Sequence, residues 1–158
     1  MNGRVVTGAL ALAVTLAGAL AAHYEGDVPT AYQDTAGVYT ICEGHTKGVK
    51  PGDTATPEQC AEYKAADLAD ASDAVDACVR VPLTVGERAA YVDFVFNVGG
   101  SAFCGSTLVR KLAAGDRVGA CNELSRWTHA GGKVLPGLVK RRESERELCL
   151  RDITKEQT

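Results

Sequence analysis

The first apolar stretch of the chain is uninterrupted: residues 5–22 carry no charge and hold seven Ala, four Leu and three Val beside two Gly and two Thr. Arg4 and the amino terminus precede it, while His23, Glu25 and Asp27 follow. The positive flank marks the side that stays in the cytoplasm. At 18 residues the run is at the lower limit for a bilayer-spanning helix, and its Ala-rich composition keeps the gain from lipid small. It reads as a weak membrane anchor able to leave the bilayer again. A cleavable secretory signal is the alternative, since Ala19-Leu20-Ala21 offers the small residues of a cleavage site. A buried soluble helix comes third.

Beyond residue 22 the pattern shortens. Residues 24–32 read as the end of a first helix or the turn after it, with Pro29 restricting the residue before it. Val38, Tyr39, Thr40 and Ile41, punctuated by Gly37, Gly44 and Gly48, predict a small hairpin-rich region over residues 31–50. Thr56 with Pro57 and Gln59 has the form of a capping box and opens a helix running to about residue 79. Thr84 with Glu87 opens another, and Ala90, Tyr91, Phe94, Val95 and Val98 recur at helical spacing until Gly99 and Gly100 stop it. Further helices are expected over residues 106–114, 118–127 and 138–150. The fold class is α+β and helix-rich: a small β-hairpin lobe and a helical bundle lobe. The expected organisation is an N-terminal segment, residues 1–22, and one catalytic domain, residues 23–158.

Charge is unevenly spread. Residues 23–79 carry 3 Lys/Arg against 11 Asp/Glu, and residues 80–151 carry 12 against 7. A basic half can attract an anionic polymer or simply keep helices solvated. Nucleic acid is excluded as a partner, because the total charge is −3 and no basic segment is interleaved with stacking aromatics. The six cysteines form no CxxC pair, which disfavours a metal cluster and points to disulfides in an oxidising compartment. Cys42 with Cys60 and Cys121 with Cys149 are the expected pairs, leaving a third.

Glycoside hydrolysis needs a protonated carboxyl to assist the leaving oxygen and a second group to activate water or stabilise positive charge. Glu25 lies just past the apolar run, and Asp34 lies beside the hairpin that presents Thr40 and His45. An apolar neighbourhood for Glu25 and an open loop for Asp34 would divide the two roles. On the residues alone, solvated surface carboxylates are the better reading.

The run Glu25-Gly26, then Tyr32-Gln33-Asp34-Thr35-Ala36-Gly37-Val38-Tyr39-Thr40-Ile41-Cys42-Glu43-Gly44-His45-Thr46, resembles the active-site signature of T4-type phage lysozymes. Phe94-Val95-Phe96-Asn97-Val98-Gly99 resembles the core helix of that family. Ser125-Arg126-Trp127 and Pro136-Gly137-Leu138 with Arg141-Arg142 resemble its closing helices. The resemblance covers the chain after residue 22 and implies a lysozyme-like fold with Glu25 as general acid and Asp34 and Thr40 on the water side. Cys42 departs from the pattern, where a glycine is common. The apolar N-terminus is similar to that of the signal-anchor-release type of phage endolysin.

The activity so implied is hydrolysis of the β-1,4 bond between N-acetylmuramic acid and N-acetylglucosamine in peptidoglycan, with inversion and without metal or organic cofactor. The implied enzyme is a monomer. It is held inactive at the host inner membrane through residues 5–22 and then released to the periplasm. A lytic transglycosylase on the same bond and a non-catalytic wall-binding module are the rival readings. His45 is expected to fix the hairpin by pairing with a carboxylate on the next helix, Glu43 to be an exposed loop residue and Trp127 to lie in the core. Arg141 and Arg142 are expected either to meet the anionic wall peptide or to cover the last helix.

Overall fold

The computed structural model describes residues 8–24, 26–34 and 36–153. Helix α1 spans Gly8–Tyr24, and Ala13, Ala17 and Ala21 form its buried stripe at a spacing of four. Side chains this small let the helix axis approach its neighbours closely. Gly18 continues the face, since a Cβ added there would stand 3.1 Å from Leu68 Cδ1. Among the described residues no helix is long and apolar enough to cross a membrane, and the expected anchor, residues 5–22, begins outside them.

Strand β1 (Val28–Gln33) follows and pairs antiparallel with β2 (Tyr39–Cys42), with Tyr32 opposite Thr40 and an irregularity between Val28 and Tyr32. Residues 28–32 are therefore strand, not the end of a helix. Pro29 is compatible with this because it stands at the irregularity in the pairing with β2; on the other side of the strand its carbonyl accepts from Ala55 N–H at 2.9 Å.

Helix α2 (Pro57–Cys78) begins at the Thr56 capping box, with both reciprocal hydrogen bonds formed. It carries the hairpin lobe on one face. Cys60 is disulfide-bonded to Cys42, Tyr63 stacks on His45 at 4.3 Å, Lys64 pairs with Glu43 at 2.7 Å, and Asp67 pairs with His45 at 2.8 Å. Positions 60, 63, 64 and 67 fall on one helical stripe, so four consecutive attachments rivet the lobe to α2. Glu43 is half-buried in its ion pair rather than an exposed loop residue.

Helix α3 (Val85–Val98) starts at the Thr84 capping box and runs through the core, buried at every position from Ala89 to Val95. It packs against α1, α2 and α7 (Pro136–Ile153). Gly99 (φ 87°) ends it, yet Gly100 does not add to the stop: it opens the short α4 (Gly100–Cys104). A Cβ on Gly100 would meet that of Ala74 at 2.9 Å, so this glycine serves close packing against α2. Helices α5 (Thr107–Ala113) and α6 (Arg117–Glu123), a 3₁₀ turn at Leu124–Arg126 and a two-residue hairpin pair, β3 (His129–Ala130) with β4 (Lys133–Val134), complete the fold.

The main core gathers Tyr91, Phe94, Phe103, Leu108, Leu112 and Leu124 around α3, and Trp127 packs edge-on against Phe94 at 5.2 Å. Two disulfides close this lobe, Cys78–Cys104 and Cys121–Cys149. All three bridges are formed, and the two expected pairings are among them. The Tyr91 hydroxyl, 3.2 Å from Cys149 Sγ, donates to that disulfide sulfur, and burial pushes its phenol far above the ordinary range.

Candidate active site

Asp34 and Thr40 are both hydrogen-bonded to the backbone of Val38. Asp34 follows β1 and its Oδ1 accepts from the backbone N–H groups of Ala36 and Val38, each at 2.9 Å. This is the local turn that Asp stabilises by replacing a backbone acceptor with its own side chain. Gly37 supplies the left-handed residue the turn requires, with φ 80°. Thr40 is 4% exposed on β2, and its hydroxyl donates to the Val38 carbonyl at 3.1 Å. The two side chains thus grip the N–H and the C=O of the same residue. Thr40 Oγ1, its hydrogen used, presents lone pairs.

Glu25, the expected acid, lies outside the described residues; its neighbour Tyr24 is well fixed. The Tyr24 hydroxyl lies 3.0 Å from the Lys140 carbonyl and 2.6 Å from Ser144 Oγ, and the Arg141 guanidinium stands 5.8 Å from its ring centroid.

Below Tyr24 a set of charged side chains is buried between α3 and α7. Arg141 donates to both oxygens of Asp93, at 3.1 and 2.9 Å. Arg142 donates to Asn97 Oδ1 at 2.9 Å, lies 2.8 Å from Glu145 Oε1 and covers the Phe94 ring at 4.8 Å. Arg141, Arg142, Asp93 and Glu145 are each at most 2% exposed. The two arginines are interior residues, neither reaching out to the wall peptide nor merely coating the helix. Burial pushes the Glu145 carboxyl well above the usual range, Arg142 opposes this, and a hydrogen bond with Asp93 adds to the rise. Sequence reasoning missed Asp93 and Glu145, which read as ordinary polar helix positions.

A cavity of about 280 Å³ opens between the hairpin lobe and the helical lobe. Thr46 and Lys47 come from the first, Asp67 and Asp70 from α2, and Phe96 and Gly99 from the end of α3. It joins an apolar wall to a charged rim, where Lys47 pairs with Asp70. None of the expected catalytic residues lines it, but it is continuous in sequence with the hairpin that carries them. Phe96 and Gly99 belong to the core-helix motif, which was the available signal. Asp27 approaches Cys42 and Cys60, a grouping with metal-ligand atom types, but the two sulfurs are bonded to each other.

His45 bridges Asp67 and the Lys47 carbonyl, at 2.8 and 3.1 Å, and so fixes the turn after β2 as expected.

Three comparisons bear on this arrangement. The sequence profile of the phage lysozyme family matches residues 22–145. A SAR-endolysin of Bacteriophage PS119 is 44% identical over 120 residues, covering 75% of this chain and 72% of that protein. Among solved structures, the active form of the P1 phage endolysin Lyz superposes with a TM-score of 0.76 at 25% identity, over 96% of this chain and 98% of that one. The secreted inactive form of the same endolysin gives a TM-score of only 0.60 at 23% identity, over 95% and 97% of the two chains. The helical lobe, the hairpin riveted to α2 and the site motif on that hairpin agree with these likenesses: the chain belongs to the phage lysozyme family and is a glycosidase.

Proposed function

We propose that this endolysin cleaves the β-1,4 bond between N-acetylmuramic acid and N-acetylglucosamine in bacterial peptidoglycan, with Glu25, Asp34 and Thr40 as its catalytic residues. The observation that carries the assignment is the backbone of Val38, whose N–H donates to the Asp34 carboxylate and whose C=O accepts from the Thr40 hydroxyl, so that the hairpin holds both side chains. Glu25 gives its proton to the leaving glycosidic oxygen. A water donates one hydrogen to Thr40 Oγ1 and the other to Asp34, which aims its lone pair at the anomeric carbon. The proton released on attack passes to Asp34, and the product inverts. No cofactor takes part.

The rest of the reading concerns place. Residues 1–22 act as a releasable anchor in the host inner membrane, residues 23–158 form the catalytic domain, and the enzyme works in the periplasm as a monomer. The membrane-held form is inactive, because Glu25 then sits three positions from the lipid boundary with no room for a glycan strand. Release lets α1 dock on α3, the arrangement described above, whose overall fold is nearer to the active than to the secreted inactive form of the P1 endolysin.

Glu25→Gln removes only the transferable proton, so it should fold normally and fail to clear permeabilised cells. Mass analysis of the released muropeptides tests the water side: hydrolysis leaves reducing ends, whereas anhydro products would assign the chain to the transglycosylases.

A further inference from the structure

Helix α1 buries a smooth stripe, with Val14 packed beside it against the main core. Ala13, Ala17 and Ala21 fill shallow spaces, and the hydroxyl of Thr15 bonds its own helix at Ala11. Contacts of this kind resist separation, but they discriminate poorly between neighbouring registers. A directional contact is supplied at the other end. The Tyr24 phenol has one hydrogen and two oxygen neighbours on α7, the Lys140 carbonyl at 3.0 Å and Ser144 Oγ at 2.6 Å. The carbonyl can only accept, so Tyr24 donates to it and Ser144 donates to the phenol oxygen. Both partners stand one turn apart on the same face of α7.

The ring is also seated. Arg141, between those two positions on α7, places its guanidinium 5.8 Å from the ring centroid and is itself clamped by the buried carboxylate of Asp93 on α3. A cation fixed in this way over an aromatic face favours one ring position. Three helices therefore converge on Tyr24, whose carbonyl carbon is bonded to the nitrogen of Glu25.

We propose that Tyr24 is a positioning residue, whose hydroxyl locks the register of α1 on α7 and thereby sets where the general acid next to it stands. This rests on the reading of Glu25 as that acid. Docking α1 one turn out of register would still bury alanines, since Ala9 continues the spacing of Ala13 and Ala17, and would misplace the acid. Reactions that depend on a positioned group lose rate steeply on misplacements of about 1 Å.

Tyr24→Phe in the full-length released enzyme keeps the ring, its Arg141 contact and the alanine stripe, and removes both hydrogen bonds. The expected result is a roughly ten-fold loss of kcat with KM and thermal midpoint nearly unchanged. Ser144→Ala should lower kcat in the same sense and add little in the Tyr24→Phe background, because both changes break one link. Ser144→Thr, which keeps the hydroxyl, should restore the rate. A wild-type kcat for Tyr24→Phe, a loss expressed in KM alone, or full additivity of the two changes overturns the proposal. Glu25→Gln is measured alongside: if it stays active, the acid assignment fails first, whereas an inactive Glu25→Gln with an unimpaired Tyr24→Phe rejects the latch alone.

Discussion

His45 Nδ1 stands 2.8 Å from Asp67 Oδ2, so the turn after β2 is tied by a side-chain pair to the middle of α2. The imidazole is 10% exposed and the carboxylate 19%, and the ring is stacked on Tyr63. A hydrogen bond to a charged group in such partial shelter is worth about 1.5–3 kcal/mol. Asp67→Ala should therefore lower unfolding free energy by an amount in that range and speed hydrogen exchange in β2. The Cys42–Cys60 bridge should keep the lobe attached. Unchanged exchange in β2 would show that the disulfide alone holds the hairpin.

At Gly86 the α3 backbone lies directly against α7. A Cβ there would lie 2.3 Å from the Leu148 carbonyl oxygen and 2.9 Å from Asp152 Oδ2, which accepts from Gly86 N–H at 2.9 Å. Backbone cannot move aside as a flexible side chain can. Gly86→Ala, a change that usually strengthens a helix, should here cost about 1–3 kcal/mol or more. Thermal unfolding would read this directly, and a stabilised variant would contradict the packing.

Cys42 is the one non-glycine residue with positive φ among the described residues, at 55°. The two engineered losses of a bridge should then differ. Cys42→Gly with Cys60→Ala opens a link of sequence separation 18 and returns a left-handed position to the residue that tolerates it. Cys121→Ala with Cys149→Ala opens a separation of 28 inside the core and deprives Tyr91 of its sulfur acceptor. Each bridge is worth about 2–4 kcal/mol, with the longer loop toward the upper end. Chemical denaturation should show the core pair to be the costlier loss, and the reverse order would mean that the hairpin bridge carries more than loop closure.

Glu145 makes stability depend on pH with a definite sign. Burial raises its folded-state value well above that of the unfolded chain, about 4.3 for a glutamate. The unfolded state therefore loses its proton first, and folding is penalised as pH rises from that value toward the folded one, by up to about 1.4 kcal/mol per pH unit. Below both values the penalty vanishes. Glu145→Gln cannot ionise, yet its amide can donate to Asp93 and its carbonyl can face Arg142. Its stability should match the wild type in acid and exceed it progressively toward neutral pH. Parallel unfolding curves for the two proteins across roughly pH 4 to 8 would mean that Glu145 is ionised in the fold.

What could be read in the sequence follows the range of the interactions. Both capping boxes act over three residues, and α2 and α3 begin where Thr56 and Thr84 place them. The pair His45 and Asp67 was expected in kind, since a turn motif demanded a carboxylate from the next helix. Asp34, Thr40 and Glu25 are singled out by a motif, and the first two are both bonded to the backbone of Val38 on the hairpin. Pro29 misled because an irregular strand pairing and a helix end both tolerate a missing N–H. Gly100 misled because a glycine required for contact with Ala74 looks the same as one required for a stop. The buried charges were hidden for a different reason: Asp93 and Arg141, 48 positions apart, show no local sign that they will pair, and Arg142 and Glu145, three apart on α7, look like an ordinary solvated helix pair.

If residues 1–22 act as the proposed releasable anchor, anchor and docked helix make different demands on the two glycines of α1, and this separates release from catalysis. Gly8 faces open space, with nothing within 4 Å of an added Cβ, whereas a Cβ at Gly18 already crowds Leu68 at 3.1 Å. Replacing either with Leu strengthens insertion of a weak span by a few tenths of a kcal/mol, ~0.5 on an insertion scale. Gly8→Leu should therefore delay lysis of the host while leaving the released enzyme with wild-type specific activity. Gly18→Leu should delay lysis and also loosen α1 in the folded protein, lowering both thermal midpoint and activity, because the larger side chain cannot fit against Leu68. Onset of lysis in culture and specific activity of purified soluble enzyme measure the two effects independently. If Gly8→Leu left the onset unchanged, and the soluble enzyme lacked roughly its first twenty residues as a processed secretory protein does, residues 5–22 would be a cleaved signal and α1 would be missing from the active molecule.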